Sequence, residues 1–221
     1  MATPRTKIDG LSDARHAQAA ALAGADFLGF VFVEGVRRQL QSDHGAAVIA
    51  RYRSLLAEDA LPGPQVVGVF RNQPAAWVND VADRARLDIV HLCGGEDEAF
   101  YAEMCRPILR QLRVEPGTTP DELRPLVRAH LDAGRMVVLD AYDPSSPGGS
   151  GRTFDWTAAE GIANLEGVFL AGGLTPENVA GAIARVSPWG VDVSSGVETG
   201  GVKDPDRIRA FLHAAVTPRP A

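Results

Sequence analysis

Short apolar runs recur along this chain at regular spacing, each too brief for a buried helix. They cover residues 6–9, 27–32, 66–70, 89–92, 108–114, 136–140, 168–170 and 191–194. Valine, isoleucine, leucine and phenylalanine dominate them with little alternation, as in parallel strands buried on both faces. Between the runs the apolar positions change to helical spacing. Ser12 and Asp13 offer an N-cap to a helix whose small apolar stripe is Ala14, Ala17, Ala20 and Ala21. Pro74 opens another, with Trp77, Val78 and Val81 at helical intervals. Further helices are expected over 121–131, 155–162, 176–184 and 206–215. Strands and helices in alternation predict an α/β fold built on a parallel sheet.

Two late segments narrow the fold class. Residues 167–174 (GVFLAGGL) run a strand into a glycine pair, followed by a helix start at 175–178. Residues 191–198 (VDVSSGVE) run the next strand into a turn of small residues. Such turns expose backbone N–H groups that no side chain screens, and these attract phosphate. In a (β/α)8 TIM barrel the phosphate site forms after strands 7 and 8. Eight regularly spaced strands and these turns predict that barrel, as a single domain over residues 1–221. An open doubly wound sheet is the alternative. The long irregular segments 34–42 and 141–152 both follow strands, where barrel loops carry the chemistry.

Composition removes several function classes. A 221-residue chain with 45% hydrophobic and 23% charged residues is ordinary for a globular protein with a sizeable core. Its formal net charge of −6 disfavours nucleic acid as a partner. No apolar run approaches the roughly 18 residues of a membrane span, and the first residues lack the apolar core of a secretory signal. Two cysteines, Cys93 and Cys105, make neither a disulfide framework nor a zinc-type spacing. Cys105 is placed in a helical stretch. The expectation is a cytoplasmic protein without metal or other cofactor.

Several ordered pieces together resemble the phosphoribosylanthranilate isomerase family of tryptophan biosynthesis. They are 6–11 (TKIDGL), 24–26 (GAD) with 29–32 (GFVF), 67–70 (VGVF), Leu139 with Asp140, and 148–156 (GGSGRTFDW). The series continues with 171–174 (AGGL), Asn178 and Val179, 192–198 (DVSSGVE), and Lys203 with Asp204. The resemblance spans nearly the whole chain. It implies an Amadori rearrangement of a phosphoribosylated aromatic amine to a 1-amino-1-deoxyketose. That chemistry needs an acid for the ribose ring oxygen and a base for the proton on C2, and no metal.

The family's acid position falls on Asp140. A free Asp titrates near about 3.9, so this role requires burial or a neighbouring negative charge to raise its pKa. The base position departs from the family: its Lys-Ile-Cys-Gly is here Lys7-Ile8-Asp9-Gly10. The related barrel isomerase of histidine biosynthesis is similar in this respect, with an Asp at the ends of strands 1 and 6. Two carboxylates facing one substrate push each other's pKa values apart, giving one base and one acid. The histidine enzyme carries a second glycine-rich phosphate turn after strand 3, whereas residues 69–73 here read VFRNQ. A substrate with one phosphate fits better.

Two more loops depart. After strand 2 the family's Pro-Lys-Ser-Pro-Arg type loop is replaced by residues 33–39 (VEGVRRQ), where Arg38 aligns with the Arg that pairs with the substrate carboxylate. After strand 4, Gln-Leu-His-Gly becomes His91-Leu92-Cys93-Gly94. His91 is a candidate pocket residue and Cys93 a small buried or pocket-lining one, since no partner activates it. Asp192 aligns with a position near the substrate, and left unpaired in a buried strand it would be costly. The phosphate candidates are Gly149, Ser150 and Gly151, then Gly172 and Gly173, then Ser194, Ser195 and Gly196. The expected partner is a small phosphosugar, with neither nucleic acid nor membrane, and the protein is a monomer or homodimer. The altered loops leave two alternatives: an isomerase of another single-phosphate aminoaldose, or a phosphosugar-binding barrel without turnover.

Overall fold

The computed structural model describes residues 3–58, 63–141 and 153–217. The first elements are β1 (Arg5–Ile8), α1 (Ala14–Leu22), β2 (Phe27–Val31), α2 (Ser42–Glu58), β3 (Gln65–Phe70), α3 (Ala75–Arg84) and β4 (Ile89–Leu92). A short α4 (Glu98–Ala102), β5 (Ile108–Val114), α5 (Pro120–Asp132) and β6 (Met136–Ala141) follow. The chain ends with β7 (Val168–Leu170), α6 (Val179–Val186), β8 (Gly190–Val193), the small strands β9 (Glu198–Thr199) and β10 (Val202–Lys203), and α7 (Pro205–Val216). Strands β1 to β8 lie side by side in chain order and close into a barrel. Every expected strand lies within one residue of its observed bounds. The fold is the (β/α)8 barrel, not the open sheet.

By Cα proximity the chain forms two compact units, residues 8–109 and residues 1–7 with 110–221. In the first, β2, β3 and β4 pair in parallel, with Phe27 opposite Gln65 and Val69 opposite His91. Phe32 and Phe70 stack with centroids 5.3 Å apart, and Trp77 meets Phe70 edge-on at 6.0 Å. Gly45 on α2 faces the Phe32 ring so closely that a Cβ would stand 2.5 Å from it. The helix therefore packs directly on the aromatic layer. In the second unit β6, β7 and β8 pair in parallel, Leu139 opposite Leu170 and Leu170 opposite Val191. Phe169 meets Trp189 edge-on at 5.1 Å, in space that a side chain on Gly190 would take.

Side chains in the strand-to-helix loops cap the helices that follow. The Asp13 carboxylate accepts from the Arg15 and His16 amides at 2.8 and 3.2 Å. Thr119 and Glu122 form a reciprocal capping box at the start of α5. Asp204 accepts from the amides of Asp206 and Arg207 at the start of α7.

Four expectations about helices need correction. The 17-residue α2 escapes the reading that made 42 the end of an irregular segment, although Ile49, Tyr52 and Leu56 lie on its buried face. The short α4 also went unforeseen. The helix expected over 155–162 is only a 3-10 turn, Trp156–Ala159, and Gly161 at φ +65° ends any continuation. The helix expected from Pro176 starts at Val179, because Asn178 ties the preceding residues into a turn. Cys105 lies in a bend rather than a helix and is exposed, while Cys93 is half-buried.

Candidate active site

Asp9 is the residue immediately after β1 and is buried. Its carboxylate occupies the space beside β2 where any other residue at position 29 would put a side chain: a Cβ on Gly29 would stand 1.6 Å from Asp9 Oδ1. The glycine inside an otherwise bulky strand thus makes room for an acid. His91, in β4, is also buried, and its Nδ1 lies 3.7 Å from Asp9 Oδ2. These two candidate site residues are brought together.

The middle of β5 and the end of β6 present a second polar arrangement. Asp140 is half-buried at the penultimate position of β6. Its Oδ2 accepts from Gln111 Nε2 at 2.5 Å, and its Oδ1 accepts from the Ala141 amide at 2.9 Å. Gln111 is buried in β5, and it was not singled out from the sequence. With Arg110 and Arg113 in the same strand, Gln111 did not stand out as a polar residue.

Asp192 is buried in β8 and its Oδ2 lies 3.2 Å from the Nζ of Lys7, a side chain with no solvent exposure. The cost of a lone carboxylate in a buried strand is offset by this ion pair. Lys7 also went unassigned from the sequence, although a lysine within a buried strand requires a partner.

Arg38 is half-buried in the loop between β2 and α2, and Arg37 is exposed. That loop is braced: Leu40 N donates to Val31 O at 2.7 Å, Gln39 N to Val36 O at 3.0 Å, and Gly35 N to Gln39 Oε1 at 2.9 Å. Arg38 therefore rides on a short coil held at both ends.

Two of the three candidate phosphate turns lie in the described residues; Gly149, Ser150 and Gly151 lie outside them. Gly172 and Gly173 follow β7 with φ of +80° and +62°, values that favour glycine. Asn178 staples this turn, donating from Nδ2 to Gly173 O at 2.9 Å while its Oδ1 accepts from Thr175 N at 2.8 Å. Ser194 follows β8, and Ser195 and Gly196 belong to the 3-10 turn Ser195–Val197. Gly196 packs against the backbone of the preceding loop, where a Cβ would stand 1.9 Å from Leu174 O. The turns after β7 and β8 are thus in direct contact.

The comparisons with known proteins agree with one another. The family described as N-(5'-phosphoribosyl)anthranilate (PRA) isomerase matches residues 6–214. The chain belongs to this family. It is 41% identical over 212 residues to the N-(5'-phosphoribosyl)anthranilate isomerase of Pelobacter propionicus, covering 96% of this chain and 95% of that one. It also superposes on the crystal structure of phosphoribosyl anthranilate isomerase from Thermotoga maritima with a TM-score of 0.80 at 30% identity, covering 96% and 98% of the two chains. A further similar structure, with a TM-score of 0.77 at 27% identity and the same coverage, is a phosphoribosyl anthranilate isomerase in complex with reduced 1-(o-carboxyphenylamino)-1-deoxyribulose 5-phosphate. Among the described residues, no helix is long and apolar enough to cross a membrane.

Proposed function

We propose that the protein converts N-(5'-phosphoribosyl)anthranilate to 1-(o-carboxyphenylamino)-1-deoxyribulose 5-phosphate, with Asp140 as general acid and Asp9 as general base. The observation that carries the assignment is the pocket made for Asp9. The family pattern has a cysteine here, and in this chain Gly29 leaves space for a carboxylate at the same barrel-strand end.

The protonated Asp140 gives its proton to the ribose ring oxygen as the C1–O bond breaks, and the anilino nitrogen lone pair forms the C1=N bond. Asp9 then removes the proton on C2, and those electrons form C1=C2 as the iminium is discharged. The resulting enaminol takes a proton at C1 and loses its hydroxyl proton to become the ketone. Each step is a proton transfer with charge kept near neutral, which side-chain acids and bases perform without a metal. Gln111 orients the Asp140 carboxyl through the 2.5 Å contact. Arg38 meets the anthranilate carboxylate, where a guanidinium fork suits two oxygens. His91 stands beside Asp9, and Asp192, paired with Lys7, is a further substrate-binding candidate. The phosphate sits on the turns at Gly172, Gly173, Ser194, Ser195 and Gly196. The family's role in tryptophan biosynthesis and a cytoplasmic setting complete the reading.

The test follows the fluorescence of N-(5'-phosphoribosyl)anthranilate with purified protein. Turnover by the natural protein and its loss in Asp9→Ala and Asp140→Ala are the expected results. Full activity in Asp9→Ala would remove the base from the scheme. Tight binding of the substrate by the natural protein without turnover would refute the isomerase reading and leave a phosphosugar-binding barrel.

A further inference from the structure

We infer that Lys203 and Arg207 are positioning residues that hold the turn after β8 in its anion-binding shape, acting on its carbonyl oxygens from behind. The inference rests on the reading that this turn receives the substrate phosphate. Lys203, in β10, is buried, and its Nζ donates to Ser194 O at 2.8 Å. The same ammonium lies 3.5 Å from Ser194 Oγ and 3.0 Å from Glu198 Oε1. Glu198 is opposite Lys203 in the two-stranded β9–β10 ribbon, and the two side chains are only 3% and 6% exposed. Arg207, in the first turns of α7, donates from Nε and Nη2 to Gly196 O at 3.1 and 3.0 Å. Its Nη2 also lies 3.3 Å from Glu177, in the loop that follows the Gly172–Gly173 turn. Two cations thus take two carbonyls of one turn, and one of them also reaches the neighbouring loop.

The physical consequence follows from the planarity of the peptide. In a trans peptide the N–H points opposite to the C=O of the same plane. Directing Ser194 C=O at Lys203 therefore directs the Ser195 N–H away from that ammonium. A cation on the carbonyl also polarises that peptide and makes its N–H a stronger donor. A buried ion pair is a poor device for raising stability, because desolvation consumes most of its attraction, but it specifies one geometry well. The ribbon formed by β9 and β10 has an evident use on this account: it carries Lys203 and Glu198 to the back of the turn. The contact of Gly196 with Leu174 O transmits the same constraint to the loop after β7.

The experiment compares the natural protein with the double variant Lys203→Met/Glu198→Gln, in which neither charge of the pair remains, and with Arg207→Leu at the half-exposed end of the brace. Steady-state constants for N-(5'-phosphoribosyl)anthranilate, the inhibition constant of inorganic phosphate and the melting temperature are measured for each. Loss of a charged hydrogen bond that orients a donor predicts KM and the phosphate inhibition constant rising together by about tenfold, with kcat nearly unchanged. A lower melting temperature with KM and phosphate inhibition unchanged in Arg207→Leu and in the folded double variant would overturn the proposal and make both cations purely structural. Should the double variant not fold, Arg207→Leu decides alone by the same criterion. A natural protein that turns over the substrate but is insensitive to phosphate would also overturn it, leaving the isomerase reading in place. Absence of turnover in the natural protein would instead bring down that reading.

Discussion

The carboxylate of Asp9 lies where the side chain of residue 29 would be. A Cβ added to Gly29 would stand 1.6 Å from Asp9 Oδ1 and 3.2 Å from Asp9 Cα. The identity of a residue in β2 therefore controls the position of the proposed base after β1. Gly29→Ala is expected to lower kcat/KM by about 100-fold, the scale on which a displaced catalytic group acts. Steady-state kinetics check this, with circular dichroism to establish that the barrel remains folded. Activity within a few-fold of the natural protein would mean that Asp9 has no need of its present position.

Lys7 and Asp192 make a different prediction, about stability. Both side chains are buried and their charged atoms are 3.2 Å apart. Lys7→Met should destabilise the protein by roughly 3–5 kcal/mol, because it removes the cation 3.2 Å from a buried carboxylate. Lys7→Met/Asp192→Leu should recover much of that loss, since neither charge of the pair then remains buried. Urea unfolding of the single and double variants measures the difference.

Gln111→Leu is expected to reduce kcat by about tenfold with a small change in KM, because it removes the hydrogen bond that orients the Asp140 carboxyl for proton transfer. The measurement is a Michaelis–Menten series at fixed pH. An equal rise in KM at constant kcat would assign Gln111 to substrate binding instead.

The strands and the barrel were legible because buried parallel strands read as mainly apolar runs, even where Lys7, His91, Gln111 or Asp192 interrupts them, and these eight are short and separated. The helices were less so. In α2 the inward positions Gly45, Ile49, Tyr52 and Leu56 include a glycine, which reads as a breaker until Phe32 is seen filling the space beside it. In the segment after β6 the reverse occurred: apolar residues at helical spacing form only a 3-10 turn, since Gly161 takes a left-handed conformation. At the site, residue types aligned with a family pattern could be named, but their partners could not. Gln111 and Lys7 act on partners 29 and 185 positions away, and Lys203 and Arg207 on partners 9 and 11 positions back in a different element, so the pattern within any one element does not encode them.

Stability should fall at both ends of the pH scale for separate reasons. Hydrogen bonds from the Thr119 amide and hydroxyl hold Glu122 below the usual glutamate range. The Thr199 hydroxyl, with the Asp206 amide, does the same for Asp204. Carboxyls depressed in the folded state contribute stability above their unfolded pKa, and this is lost as pH falls through the folded value. Melting temperature should therefore decline below about pH 4, with the decline shallower in Thr119→Ala, which begins lower by about 1 kcal/mol for the lost cap. At the alkaline end, burial pushes the Tyr52 hydroxyl up to about 12. A phenol raised above its unfolded value near 10 contributes stability below that value and loses it as pH rises to 12. Tyr52→Phe should flatten this alkaline limb in thermal melts between those limits. An unchanged limb would mean that other groups produce it.

Gly196 has no side chain because the Leu174 carbonyl takes the space, and this has a meaning for how such proteins diversify. The seventh and eighth loops are fitted to each other at this point, so a rebuilt version of either must keep the match between Gly196 and the Leu174 carbonyl. Chimeras that exchange only one of them should therefore fail more often than those that transplant both.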